Sequence, residues 1–167
     1  VAVLGLSAQN AAETKLLDPL YGFELYRPYP VENITPQTPA PKGYKPFYIS
    51  HLSRHGSRWH TSSALYDSQL DVLRRAHEAG ELTDIGERYY AEWSRAAKDA
   101  EGRGGELSPL GAEQHRDIAR RMYRNYPEIF STKGSRRCFV DCRSTIVPRC
   151  ILSMSAAVTE LVRLNPE

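Results

Sequence analysis

Six of the chain's eleven prolines fall between Pro28 and Pro46, interleaved with Asn33, Thr35, Thr38 and Gly43. Proline fixes φ and offers no backbone N–H, so this stretch can form neither a helix nor a central strand. It reads as an extended surface segment leading into the core. Immediately after it, Phe47-Tyr48-Ile49-Ser50-His51-Leu52 is a short β-branched and aromatic run bounded by Pro46 and Gly56. That pattern predicts a buried strand that ends at Ser53-Arg54-His55-Gly56.

Helical periodicity follows. Thr61, Ser62 or Ser63 can cap a helix whose apolar positions Leu65, Leu70, Leu73 and Ala76 run to a stop at Gly80. Two later segments begin alike, with Thr83 and Ser108 placed to cap the helices after them, and Pro109 sits at a first helical position where its missing N–H costs nothing. The helix after Ser108 carries His115, Ile118, Ala119, Met122, Tyr123 and Tyr126 at steps of three and four, which puts His115 on the apolar stripe as a core or rim histidine. Between these helices, residues 101–106 form a turn without the strand and GxGxxG spacing of a nucleotide cradle.

Arg137-Cys138-Phe139-Val140-Asp141-Cys142 reads as a second core strand with Cys138, Val140 and Cys142 on one face. A last helix is expected from Ser144-Thr145, with Val147, Ile151, Met154, Val158, Leu161 and Val162 on one side. The alternation implies an α/β layer architecture: part of a doubly wound sheet with helical additions, an insertion of helices covering about 61–130. Two strands are few for a stable sheet, so the sequence reads as the front part of a larger protein.

At 167 residues, 41% hydrophobic and 25% charged, the chain can bury a core of single-domain size, roughly 70% of its unfolded surface. Twenty-two basic against 20 acidic residues give +2, far from the one-sided charge of a nucleic-acid or lipid coat, although Arg outnumbers Lys 17 to 5. No stretch approaches the ~20 apolar residues of a membrane span. Cys138, Cys142 and Cys150 have neither CxxC nor zinc spacing, so no metal is expected, and their odd number leaves a free thiol or an outside partner. Residues 1–21, opening Val-Ala-Val-Leu-Gly-Leu-Ser-Ala, read as the remnant of a secretory signal and a lead-in, which predicts a periplasmic or secreted protein.

The chemistry concentrates at Arg54-His55-Gly56-Ser57-Arg58-Trp59-His60, two arginines and two further basic rings in seven residues at the carboxyl end of an expected strand. Arg54 and Arg58 can grip an oxyanion from two directions while Gly56 lets backbone come close to a ligand. A free imidazole nitrogen beside fixed positive charge is what nucleophilic attack on phosphorus requires. Arg149, in the first turn of the last helix, can point to the same edge, where a helix N-terminus favours an anion.

Arg54-His55-Gly56-Ser57-Arg58 resembles the RHGxR signature of the histidine phosphatase superfamily, in its acid phosphatase and phytase branch. With LSPLGAEQH as a helix start and the Arg-x-x-x-Ser of RSTIVPRCILSMSA, residues 22–165 look most like the multiple inositol polyphosphate phosphatases. The resemblance implies a phosphomonoesterase without cofactor, acting on a phosphorylated small molecule such as an inositol polyphosphate. His55 would be the nucleophile that becomes phosphorylated, Arg54, Arg58 and Arg149 the phosphate clamps, and His60, where many relatives have Pro, a pocket-rim contact or a helix-capping neighbour. That branch takes its proton donor from a His-Asp or His-Ala-Glu motif; none occurs here, so the donor is expected beyond Glu167. Two alternatives stand beside this reading. One is a phosphoglycerate mutase-like phosphotransferase, and the other a phosphate-binding domain without catalysis.

Overall fold

The computed structural model describes residues 38–133 and 137–166. The signal-like start and the proline-rich segment as far as residue 37 lie outside the described residues. The chain divides into two compact units, Val1–Gly43 and Tyr44–Glu167, and the second contains four helices: α1 (Ala64–Glu78), α2 (Asp84–Ala100), α3 (Pro109–Asn125) and α4 (Pro148–Leu164).

The expected α/β sheet is absent from the described residues, which form an all-helical arrangement with no strand. Phe47–Leu52 and Arg137–Cys142 have the side-chain pattern of strands, but neither pairs with the other or with any third described run. A strand is held by its neighbour's N–H and C=O groups, and without them the pattern alone has no ladder to stabilise it. Leu52 is 98% exposed and Phe139 92%, and Val140, Asp141 and Cys142 are exposed too, so the face expected for Cys138, Val140 and Cys142 does not pack. Among the described residues the one β-type pairing is an isolated antiparallel bridge between Arg58 and Leu107.

The helices associate in two pairs, α1 with α2 and α3 with α4. The first pair meets along an aromatic seam: Tyr66 and Tyr89 lie 5.8 and 6.0 Å from Trp93, and the Trp93 indole N–H donates to the Tyr66 carbonyl at 3.2 Å. Its connection turns at Gly80 in the left-handed region and restarts where the Thr83 hydroxyl accepts from the Gly86 N–H, as the capping pattern predicts.

In the second pair, α3 buries Gly111, His115 and Ala119, on the stripe its spacing predicts. Helix α4 differs from expectation in its start and its face. It begins at Pro148, because the residue before a proline is pushed out of the helical region; Val147 accordingly has ψ +124°, and Ser144 and Thr145 precede the helix. Its buried residues are Ser153, Ala156 and Glu160, whereas Ile151, Leu152 and Val162 of its apolar surface are exposed. Ala119 and Ala156 bring no bulk between the helices. The Glu160 carboxylate takes hydrogen bonds from Arg120 (2.8 Å) across the pair and Arg163 (2.6 Å) along its own helix, and these hold its pKa at about 2. Beyond them the apolar core of the described residues is small, Phe130 being its largest member.

Candidate functional site

Residues 54–60 run between the two helix pairs and are fixed from three directions. From α3, the Ser108 N–H and hydroxyl both donate to the Ser57 carbonyl at 2.9 Å, and the same hydroxyl accepts from the Gly111 N–H to cap the helix. The Ser57 N–H donates to Gln114 Oε1 at 2.8 Å. From α4, Ser153 Oγ accepts from the Gly56 N–H at 3.1 Å. From the 101–107 turn, the Glu106 carbonyl accepts from the Trp59 N–H and the Gly105 N–H donates to the His60 carbonyl, both at 3.1 Å. The backbone polar groups of the segment are thus tied to the scaffold although the described residues form no sheet around it.

The docking of α3 explains Gly56 differently from the sequence. A Cβ at Gly56 would overlap the Gly111 carbonyl, and one at Gly111 would overlap the Ser57 carbonyl. The two glycines therefore let two backbones touch, and Gly56 makes room for a helix start where the sequence suggests room for a ligand.

His55 is half-buried, and its Nδ1 lies 2.8 Å from the Gly56 carbonyl. A carbonyl only accepts, so Nδ1 carries the proton and Nε2 of the neutral ring keeps its lone pair. Arg58 is half-buried and donates from Nη1 to the Trp59 carbonyl at 2.9 Å, while its Nε is buried with no hydrogen-bond partner. Arg149 repeats this pattern, with Nη1 3.4 Å from the Gly105 carbonyl and a buried Nε without a partner. Arg149 stands four residues before Ser153, hence one turn away on the same face of α4, and Ser153 touches Gly56. The helix face thereby carries Arg149 towards the 54–60 segment. Gly105, at φ +76°, lies against both: a Cβ there would stand 3.3 Å from Arg149 Nη1 and from the Thr61 methyl.

Arg54 is placed otherwise. Its side chain is exposed, and among the described residues only its carbonyl is engaged, accepting from Nε2–H of His115 at 3.1 Å. His115, 4% exposed, is the core histidine the α3 spacing predicts. Burial is the main cause lowering its pKa; His51 and His55 add to this and the Arg54 carbonyl opposes it. His60 is half-buried at the start of the α1–α2 pair, its N–H donating to the Tyr66 hydroxyl at 3.1 Å.

His55, Arg58 and His60 thus lie half-buried on the 54–60 segment, Arg149 reaches from α4 to the Gly105 carbonyl beside it, and the Arg54 side chain is exposed. Sequence reasoning gave no role to Gln114, Ser153 or Gly105, which hold that segment in place. The signals were present: Gln114 lies within LSPLGAEQH, and Ser153 is the serine of Arg-x-x-x-Ser. The three thiols are free, and among the described residues no three His, Cys, Asp or Glu side chains are grouped to hold a metal ion. No helix among them is long and apolar enough to cross a membrane. Comparison with protein-family models and with curated proteins finds no match for this chain.

Proposed function

We propose that residues 54–60 and Arg149 bind the phosphoryl group of a phosphomonoester, an inositol polyphosphate in the reading its motif suggests, and transfer it to His55. The observation that carries this reading is the pair of buried guanidinium Nε–H groups, on Arg58 and Arg149, without partners. A buried donor left unpaired costs about 1–3 kcal/mol, more when charged, and is retained where a ligand supplies the acceptor. Phosphate oxygens match the planar fork of guanidinium donors.

In the first step His55 Nε2 attacks phosphorus. The N–P bond forms as the P–O ester bond breaks, with the Nδ1–H···O=C contact to Gly56 stabilising the charge that grows on the ring. Arg58 and Arg149 neutralise the transferring oxygens, the task a divalent ion performs elsewhere. Water then hydrolyses the phosphohistidine and releases phosphate. The leaving oxygen needs a proton, and general acid assistance is typically worth 10²- to 10⁴-fold. Among the described residues the only carboxylate hydrogen-bonded to a side chain of the 54–60 segment is Asp99, 3.1 Å from the Trp59 indole nitrogen. That observation favours a second reading, phosphate binding without turnover.

The experiment is a rapid acid quench with a labelled aryl phosphate in EDTA. An acid-labile, base-stable label on the wild type and none on His55→Ala supports phosphoryl transfer. Phosphate binding without label supports the binder. Neither binding nor label, or a label that needs a divalent ion, rejects the proposal.

A further inference from the structure

Trp59 follows Arg58 directly, and its backbone and ring are all engaged. Its N–H donates to the Glu106 carbonyl at 3.1 Å, its carbonyl accepts from Arg58 Nη1 at 2.9 Å, and its indole N–H donates to Asp99 Oδ2 at 3.1 Å. The Arg103 guanidinium lies over the indole, 4.8 Å from the ring centroid, with its Nη1 3.4 Å from the other Asp99 oxygen. The ring is thus held at its edge by a carboxylate and on its face by the cation paired with that carboxylate.

Asp99 stands in the last turn of α2, where a negative charge opposes the helix dipole, and both of its partners, Trp59 and Arg103, lie outside that helix. The turn that follows is closed on itself: the Arg103 N–H donates to the Ala100 carbonyl and the Glu106 N–H to the Arg103 carbonyl, both at 3.0 Å. The same turn receives the Arg149 donor at the Gly105 carbonyl. One closed turn at the end of α2 therefore holds Arg149 directly and Arg58 through Trp59.

We propose that Trp59 is a positioning residue for the anion clamp: with its indole pinned by Asp99 and Arg103, its carbonyl fixes one nitrogen of Arg58 and leaves the Arg58 Nε–H to the anion. The inference rests on the phosphoryl-binding reading above and adds to it the means by which the end of α2 governs the affinity of that site. A guanidinium already fixed at Nη1 has less side-chain freedom to lose when an anion arrives, so the grip on Trp59 is felt as affinity.

The test measures the affinity of the 167-residue chain for inorganic phosphate by calorimetry. Trp59→Phe keeps an aromatic face under Arg103 and deletes the indole N–H; it is expected to weaken phosphate about fivefold, the net contribution of one hydrogen bond. Asp99→Ala should weaken it to a similar extent, while Asp99→Asn, which keeps an acceptor oxygen, should retain most of the affinity. The sign is diagnostic, because removing a carboxylate that only neighbours an anion site would strengthen binding. Both Asp99 variants change an exposed side chain, so they decide the matter even where Trp59→Phe costs the fold. In an Arg58→Lys background, which keeps the charge and loses the fork, Trp59→Phe should change the affinity by less than about twofold, since the group it positions is gone. Unchanged or tighter binding in folded Trp59→Phe or in Asp99→Ala, or a fivefold loss that persists beside Arg58→Lys, would overturn the inference. If phosphate fails to bind the wild type, or binds undiminished in a variant lacking both Arg58 and Arg149 guanidinium groups, the underlying reading falls instead.

Discussion

At Gly56 the absence of a side chain matters more than anything the residue could carry. A methyl group there would enter the space of the Gly111 carbonyl, which belongs to the first turn of α3 and cannot swing aside. Gly56→Ala should therefore destabilise the protein by about 3 kcal/mol, the upper range for overpacking, with chemical denaturation as the measurement. Stability equal to the parent's would show that α3 docks elsewhere. His55→Ala should behave in the opposite way. The ring is half-buried and its hydrogen bond is to its neighbour's carbonyl, so folding should change by about 1 kcal/mol or less while the phosphoryl label is lost. The sequence made both residues visible and expected the chemistry of His55. It could not tell why Gly56 is glycine, because a glycine records that a side chain is excluded and not which neighbour excludes it. Arg54 and Arg149 show the same limit. They look equivalent as residue types, yet one guanidinium is exposed and the other is carried inward by a helix face.

Among the elements, helix positions were legible and helix phase was not always so. The caps at Thr83 and Ser108 and the stripe through His115 and Ala119 follow from spacing, since each has a local chemical reason. Helix α4 has apolar residues around most of its circumference, so periodicity does not select a face; the polar groups of Ser153 and Glu160, which find partners inward, do. The two strand patterns failed for a related reason, in that a strand exists only by pairing and the pattern does not name the partner. Two acid transitions follow from this packing. His115 is lowered from its ordinary 6.5, so its folded form resists the proton that the unfolded chain accepts. Its contribution is full above 6.5 and is lost as pH falls below that value. Glu160, at about 2 against an ordinary 4.5, contributes above 4.5 and loses that contribution as pH falls towards 2. Melting temperature against pH should show both declines. His115→Gln should flatten the first and Glu160→Gln the second, and an unaltered profile in either variant would remove that group from the account.

Across the whole molecule, the described residues expose apolar side chains that a globular surface seldom leaves in water: Phe47, Tyr48, Leu52, Phe139 and Ile146 on the non-helical runs, and Ile85 on α2. The chain should bind a hydrophobic dye and self-associate with rising concentration. Replacing Leu52 and Phe139 by Ser should reduce both effects while shifting stability by only about 0.5 kcal/mol per site, the range for exposed positions, and a large loss of stability would mean these residues are buried in solution. The arrangement of the helices has a further consequence. Among the described residues the α1–α2 pair and the α3–α4 pair share no helix-to-helix contact, and are bridged by the segment that carries His55, Arg58 and His60. That segment reaches α1 through the Tyr66 hydroxyl, α2 through Asp99, and α3 and α4 through Gln114 and Ser153. An anion seated between Arg58 and Arg149 would then act as a keystone, adding its binding energy to the one span both halves lean on. Calorimetry should resolve two melting steps in phosphate-free buffer and a single, later one at saturating phosphate, so that occupancy of the cradle is felt as the two halves of the molecule beginning to melt as one.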